Sequence, residues 1–148
     1  MSESVRFVRL DSNPDLPLPA RGTPQAAGYD VRSAEPEFVL EPGEIRRVHT
    51  GLVMELPAGI ECQVRPRSGL AVRHGISLPN TPGTIDPDYR GELLVALINL
   101  GRDSVTIARG ERIAQLVFAR FEVLDVVEAE AVSTTVRGSG GFGSTGRT

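Results

Sequence analysis

Turn-forming residues interrupt this chain so often that a long helix has no room between them. Glycine occurs 16 times and proline 11 times in 148 residues, and no window of about 15 residues sustains a helical apolar period. Short apolar runs fill the gaps, at 5–10, 38–40, 45–50, 53–56, 60–65, 75–78, 93–100, 105–107 and 113–127. Pro42-Gly43, Pro57-Ala58-Gly59 and Arg109-Gly110-Glu111-Arg112 supply turns between them. A strand roughly every ten residues is the pattern of a sandwich or barrel, so the sequence predicts an all-β fold. A chain of this length can bury a core without disulfide or metal staples. The run at 93–100 is nearly all apolar, as for a strand covered on both faces. One short helix is expected, over 68–74, with Ser68 as N-cap.

The stretch 80–92 carries the densest punctuation, with Pro82-Gly83, Asp86-Pro87 and Gly91 each favouring a turn. The strand-like runs on either side make a β-hairpin the expected form. Its tip presents a carboxamide (Asn80), a carboxylate (Asp86) and a phenol (Tyr89). On a stiff turn these groups can read a flat polar ring, activate a water and pack against a sugar. The plainer alternative is a turn whose Asn and Asp bond their own backbone.

Charge narrows the partners. A formal net charge of −3 disfavours a polyanion such as duplex DNA. All 16 basic residues are arginine. Without lysine there is no Schiff-base chemistry and no phosphate-loop lysine, so any phosphate is held by guanidinium forks and backbone N–H groups. The single cysteine, Cys62, falls on the apolar face of an alternating run and reads as a packed core thiol. His49 and His74 lack a metal-ligand spacing. No apolar leader or membrane-length run is visible, so a soluble, cytoplasmic protein is expected, with neither nucleic acid nor membrane as partner.

Four further stretches have two readings each. Pro66-Arg67-Ser68-Gly69 offers a guanidinium, a hydroxyl and an exposed backbone to an anion, or is a capped turn with a surface arginine. Gln115, inside an apolar run, is either a satisfied core amide or a site residue. Asp30, after Gly28 at a strand edge, is a turn acceptor or a ligand. The tail from 133 onward is glycine-rich, with Phe142 among five glycines between 138 and 146. Such a segment cannot fold alone. It is a disordered end, or an arm that closes over a ligand with Phe142 stacked on something flat and its backbone N–H groups on phosphate oxygens.

Taken in order, Ala27-Gly28-Tyr29-Asp30, residues 66–71 (PRSGLA), 80–92 (NTPGTIDPDYRGE), 110–116 (GERIAQL) and 137–146 (RGSGGFGSTG) resemble the five motifs of the homotrimeric deoxyuridine triphosphatases, the dUTPases. The likeness spans nearly the whole chain; Val31, where many relatives have leucine, is a small departure. The resemblance implies a distorted jelly-roll, three chains per enzyme with sites at subunit boundaries, and a division into a β domain (1–132) and a flexible arm (133–148) that closes over the site. It implies hydrolysis of dUTP to dUMP and pyrophosphate with Mg2+ on the triphosphate, which limits uracil in DNA and supplies dUMP for thymidylate synthesis. Asp86 matches the general base that activates the water attacking the α-phosphorus. Tyr89 matches the residue that packs under deoxyribose and leaves no room for a 2′-hydroxyl. Asn80, with backbone near Thr84, Ile85 and Leu94, matches the uracil-reading hairpin. Arg67, Ser68 and Gly69 match the phosphate cradle, and Gln115 a contact near the α-phosphate. Asp30 matches a carboxylate that meets the metal through water. In the arm, Phe142 matches the residue over the uracil, and Arg137, Gly143, Ser144 and Thr145 the cap on the γ-phosphate. Two rivals share the scaffold: a dCTP deaminase, which lacks the Gly-Thr-Ile-Asp-x-x-Tyr hairpin, and a nucleotide-binding protein without catalysis, which has no need of a base.

Overall fold

The computed structural model describes residues 3–148. Its strands are β1 (Arg6–Arg9), β2 (Ala20–Arg21), β3 (Tyr29–Arg32), β4 (Phe38–Leu40), β5 (Ile45–Glu55), β6 (Ile60–Arg65), β7 (Ile76–Ser77), β8 (Gly83–Ile85), β9 (Glu92–Asn99), β10 (Val105–Ile107) and β11 (Arg112–Arg120), with one helix, α1 (Ser68–His74). They form a four-stranded sheet, β1-β5-β9-β7, a five-stranded sheet, β2-β3-β11-β6-β8, and a two-stranded ribbon, β10-β4. Every strand pairing is antiparallel. The all-β expectation holds, and the order of strands in each sheet departs from sequence order as a jelly-roll requires.

The two larger sheets face each other. Val48, Leu93, Val95 and Leu97 from one meet Val31, Cys62, Val64, Ile113 and Leu116 from the other in a single buried cluster. Each fully buried aliphatic side chain of this kind contributes about 1.5–3 kcal/mol. Cys62 belongs to this core, and burial, with the Glu61 charge second, pushes its thiol up from 9.0 to about 12.

Five local expectations are corrected. Residues 45–56 do not form two strands. β5 runs unbroken through Gly51, where the register with β9 shifts between His49 and Val53. Gly51 takes φ +64°, and a Cβ there would strike Asn13 and lie 2.8 Å from Ser12 Oγ, so the bulge needs glycine. Nor is 75–100 one hairpin. β7 and β9 pair only at Ile76–Asn99 and Ser77–Ile98, and β8 crosses between them to pair with β6 in the other sheet. Ser68 is the first helical residue rather than the cap. Arg67 holds the cap position with extended φ −89°, ψ 130°, and no side chain bonds the free N–H groups. β9 is covered on one face: Leu93, Val95, Leu97 and Asn99 are buried, while Glu92, Leu94, Ala96 and Ile98 stay partly open. Finally, the last strand stops at Arg120 instead of 127. Its partner β6 begins at Ile60, so beyond the Phe121 N–H bond to Gly59 C=O (3.3 Å) no strand remains to pair with. Residues 121–148 contain neither strand nor helix, only short turns.

Candidate active site

The crossing of β8 opens the site. β8 is an edge strand, bonded to β6 on one side only. β9 pairs with β5 along its length but with β7 only at its last two residues. Two strand edges therefore face a gap with unpaired N–H and C=O groups, an arrangement that readily accepts a flat hydrogen-bonding partner. The gap is a cleft of about 220 Å³ lined by Asn80, Thr84, Ile85, Asp86, Tyr89 and Leu94, with Val64, Leu78, Leu93 and Ala96 as its apolar floor. The hairpin residues named from the sequence thus meet in one place.

Each is positioned by a neighbour. Gly83 packs between Val64 and Asn80: a Cβ on it would lie 3.1 Å from Asn80 Nδ2 and 3.4 Å from Val64 Cβ. Asp86 stands at the end of β8 and opens a turn in which the Tyr89 N–H donates to the Asp86 C=O (3.1 Å). The Tyr89 hydroxyl donates to the Glu92 C=O (3.0 Å). Nothing in the sequence singles out Glu92, yet it lines the cleft and ties it to β5. Its Oε1 accepts the Gly51 N–H at 2.9 Å and its Oε2 meets His49 Nδ1 at 2.9 Å.

Arg67, Ser68 and Gly69 line a different cleft, together with Arg73, His74, Glu111 and Arg112. Asp30 organises it. Its Oδ1 accepts Arg67 Nε at 3.0 Å and its Oδ2 accepts Arg112 Nη1 at 3.1 Å. Nothing in the sequence marks Arg112, because an arginine beginning a strand carries no local signal. A carboxylate offers about four acceptor sites, and the two arginines use two of them. The remainder suit the water shell of a cation, so Asp30 fits a metal met through water; among the described residues no cluster of three or more His, Cys, Asp or Glu forms a metal cage. Ser68 also borders a groove with Gln115, whose Nε2 donates to the Pro66 C=O at 2.9 Å. Gly28 is the residue that makes room for this amide, since a Cβ there would fall on Gln115 Oε1.

The arm lies apart from both clefts. Phe142 is fully exposed with φ +51°, and Arg137 Nε donates to the Gly140 C=O (2.8 Å) rather than reaching a cleft. Gly143, Ser144 and Thr145 sit in the adjoining turns, with the Ser144 N–H bonded to the Gly141 C=O (3.0 Å). The chain therefore brings the hairpin residues together and brings Asp30, Arg67, Ser68 and Gly69 together. It does not bring either group to the arm.

The dUTPase family model matches residues 15–146. The deoxyuridine 5'-triphosphate nucleotidohydrolase of Anaeromyxobacter sp. (strain Fw109-5) is 56% identical over 148 residues, covering 99% of this chain and 100% of that one. The protein of the same name from Thermoanaerobacter sp. (strain X514) is 51% identical over 147 residues and 99% of each chain. Among solved structures, the Staphylococcus bacteriophage 80alpha dUTPase with dUpNHpp superposes with a TM-score of 0.90 at 28% identity, over 99% of this chain and 100% of that one. With an edge-strand cleft ending in Asp86 and Tyr89, an arginine cleft organised by Asp30, and family likeness over almost its full length, the chain belongs to the dUTPase family.

Proposed function

We propose that the chain hydrolyses dUTP to dUMP and pyrophosphate by water attack on the α-phosphorus. The observation that carries this reading is the β8 edge, which ends in Asp86 and shares one cleft with Tyr89. Uracil lies against the open edges of β8 and β9, where Asn80 and the backbone at Thr84, Ile85 and Leu94 supply donors and acceptors. A fixed backbone set mispairs with cytosine, because a buried donor left facing a donor costs about 1–3 kcal/mol. Tyr89 packs under the sugar. The Asp86 carboxylate orients the attacking water and takes its proton at a carboxylate oxygen.

Arg67, Ser68 and Gly69 hold the phosphate oxygens, with Gln115 near the α-phosphate. Bound with the triphosphate, Mg2+ would supply charge neutralisation and polarise the phosphoryl oxygens. Asp30, which aligns Arg67 and Arg112, would help to hold the metal through water. Phe142 closes over the uracil, and Arg137, Gly143, Ser144 and Thr145 cap the γ-phosphate when the arm folds down. In the cell this reaction keeps dUTP out of DNA and yields dUMP for thymidylate synthesis; a cytoplasmic setting fits it.

A homotrimer with sites between subunits accounts for two features. Asp86 and Arg67 line separate clefts of one chain. The segment that follows β11 leaves Val123, Leu124, Val126 and Val127 exposed, which a neighbouring copy can cover. Offering dUTP, dCTP, dTTP and UTP separately with Mg2+ and separating products by ion exchange tests the proposal. dUMP and pyrophosphate from dUTP alone support it. A uracil nucleotide from dCTP makes the chain a deaminase, and tight dUTP binding without product makes it a binding protein.

A further inference from the structure

Tyr89 is held in position by what Gly91 lacks. A Cβ on Gly91 would lie 2.5 Å from Tyr89 Cζ and 2.9 Å from Cε2, and would also strike the hydroxyl oxygen, so the ring rests directly on the glycine backbone. The φ of Gly91 is outside the left-handed region, and turn geometry does not by itself demand glycine there. The backbone behind the ring is fixed. Glu92 C=O takes the Tyr89 hydroxyl, Glu92 Oε1 takes the N–H of the Gly51 bulge, and Glu92 Oε2 meets His49 Nδ1. Gly51 is in turn packed on Ser12 and Asn13. Tyr89 itself is 45% exposed, so its ring can swing off the glycine without disturbing the core.

We propose that Gly91 is a specificity-determining residue: it sets the depth at which the Tyr89 ring lies and hence the space left for the sugar. This rests on the reading of the cleft as a dUTP site. A methyl group at position 91 drives the ring off its seat. A deoxyribose then loses packing that a ribose never had, so dUTP and UTP converge as substrates. The displaced atoms belong to the far end of one exposed side chain, and the fold has no other reason to fail.

The test measures kcat and KM for dUTP and UTP with Mg2+ in the full chain and in Gly91→Ala, Tyr89→Ala and the double variant. Gly91→Ala is expected to lower the dUTP-to-UTP ratio of kcat/KM by about tenfold or more, chiefly through the KM for dUTP. In the Tyr89→Ala background the same substitution is expected to change nothing, because no ring is left to displace. Should Gly91→Ala alone fail to fold, recovery of folding in the double variant supports the contact, and failure of both overturns it. An unchanged ratio in Gly91→Ala, or an equal loss with and without Tyr89, overturns the inference while the functional reading stands. No dUMP from the unaltered chain overturns the functional reading and the inference with it.

Discussion

Replacing Gly28 with alanine sets one methyl group against the Gln115 amide. The new Cβ would overlap Oε1 and lie 3.1 Å from Cδ and 3.3 Å from Cβ of Gln115, while no left-handed φ strains the backbone. The amide has to turn away, and its 2.9 Å bond to the Pro66 C=O is lost. That bond is worth about 1 kcal/mol, and crowding in a packed site adds about 1–3 kcal/mol. Removing a glycine from the unfolded chain gives back about 0.4–1 kcal/mol. The net is a destabilisation of about 1–3 kcal/mol, about 2–12 °C in Tm at this chain length.

Activity should fall further than stability. If the Gln115 amide bonds the α-phosphate region, turning it away removes a positioned donor, and kcat drops about a hundredfold. Steady-state dUMP formation at saturating dUTP, alongside a thermal melt, separates the two effects. Gln115→Ala is the benchmark: both single variants should lose the same kcat, and the double variant no more than either. Wild-type kcat in Gly28→Ala would refute the role given to Gln115. A further loss when Gly28→Ala is added to Gln115→Ala would show that the methyl acts elsewhere.

Asp86→Asn should lower kcat by about a thousandfold while leaving dUTP affinity, read by calorimetry, within a few-fold; an equal loss of binding would make Asp86 structural. Truncation after Val136 should slow turnover at least about tenfold without moving the melting temperature, and full activity in the truncated enzyme would remove the arm from the mechanism. Cys62, 0% exposed, keeps its proton to about pH 12 in the folded chain but releases it from about pH 9 when unfolded. The unfolded state then binds fewer protons, so stability falls by about 1.4 kcal/mol per pH unit across that window; parallel urea-derived stabilities for the wild type and Cys62→Ala from about pH 8 to 11 would contradict this.

The strands were legible where apolar alternation and turn residues agreed. The expected runs at 38–40, 60–65 and 105–107 match β4, β6 and β10 residue for residue. Expectation failed where long-range contacts decided. Gly51 looks like a break between two strands, but the Asn13 Nδ2 bond to the Thr50 C=O (2.8 Å) and the Leu10 N–H bond to the Gly51 C=O (2.9 Å) hold it in line as a bulge. The apolar residues at 121–127 continue the β pattern of the final strand, yet a strand exists only while it has a partner, and β6 supplies none past Ile60. Local sequence specifies a willingness to pair; it does not specify where the partner ends.

The site shows the same division at the level of chemistry. Asn80, Asp86 and Tyr89 are visible in the sequence because reactive side chains lie close together among turn residues. Glu92, Arg112, Gly28 and Gly91 are not, because what each does depends on a residue elsewhere in space or on an atom that is missing. Glu92 acts through the Gly51 bulge on another strand, Arg112 through Asp30, and the two glycines by leaving room for Gln115 and Tyr89. In both clefts, groups assigned to the chemistry are bonded to neighbours that set their place, Tyr89 on the β9 backbone and Arg67 on Asp30. In the proposed reaction, such orientation, fixed before a ligand arrives, would let an exposed carboxylate and a few arginines act on a triphosphate, since the rate gained comes from positioned charge rather than from strong bases. Substitutions at the supporting residues should therefore alter selectivity and turnover by displacing side chains assigned to the chemistry, without replacing any of them.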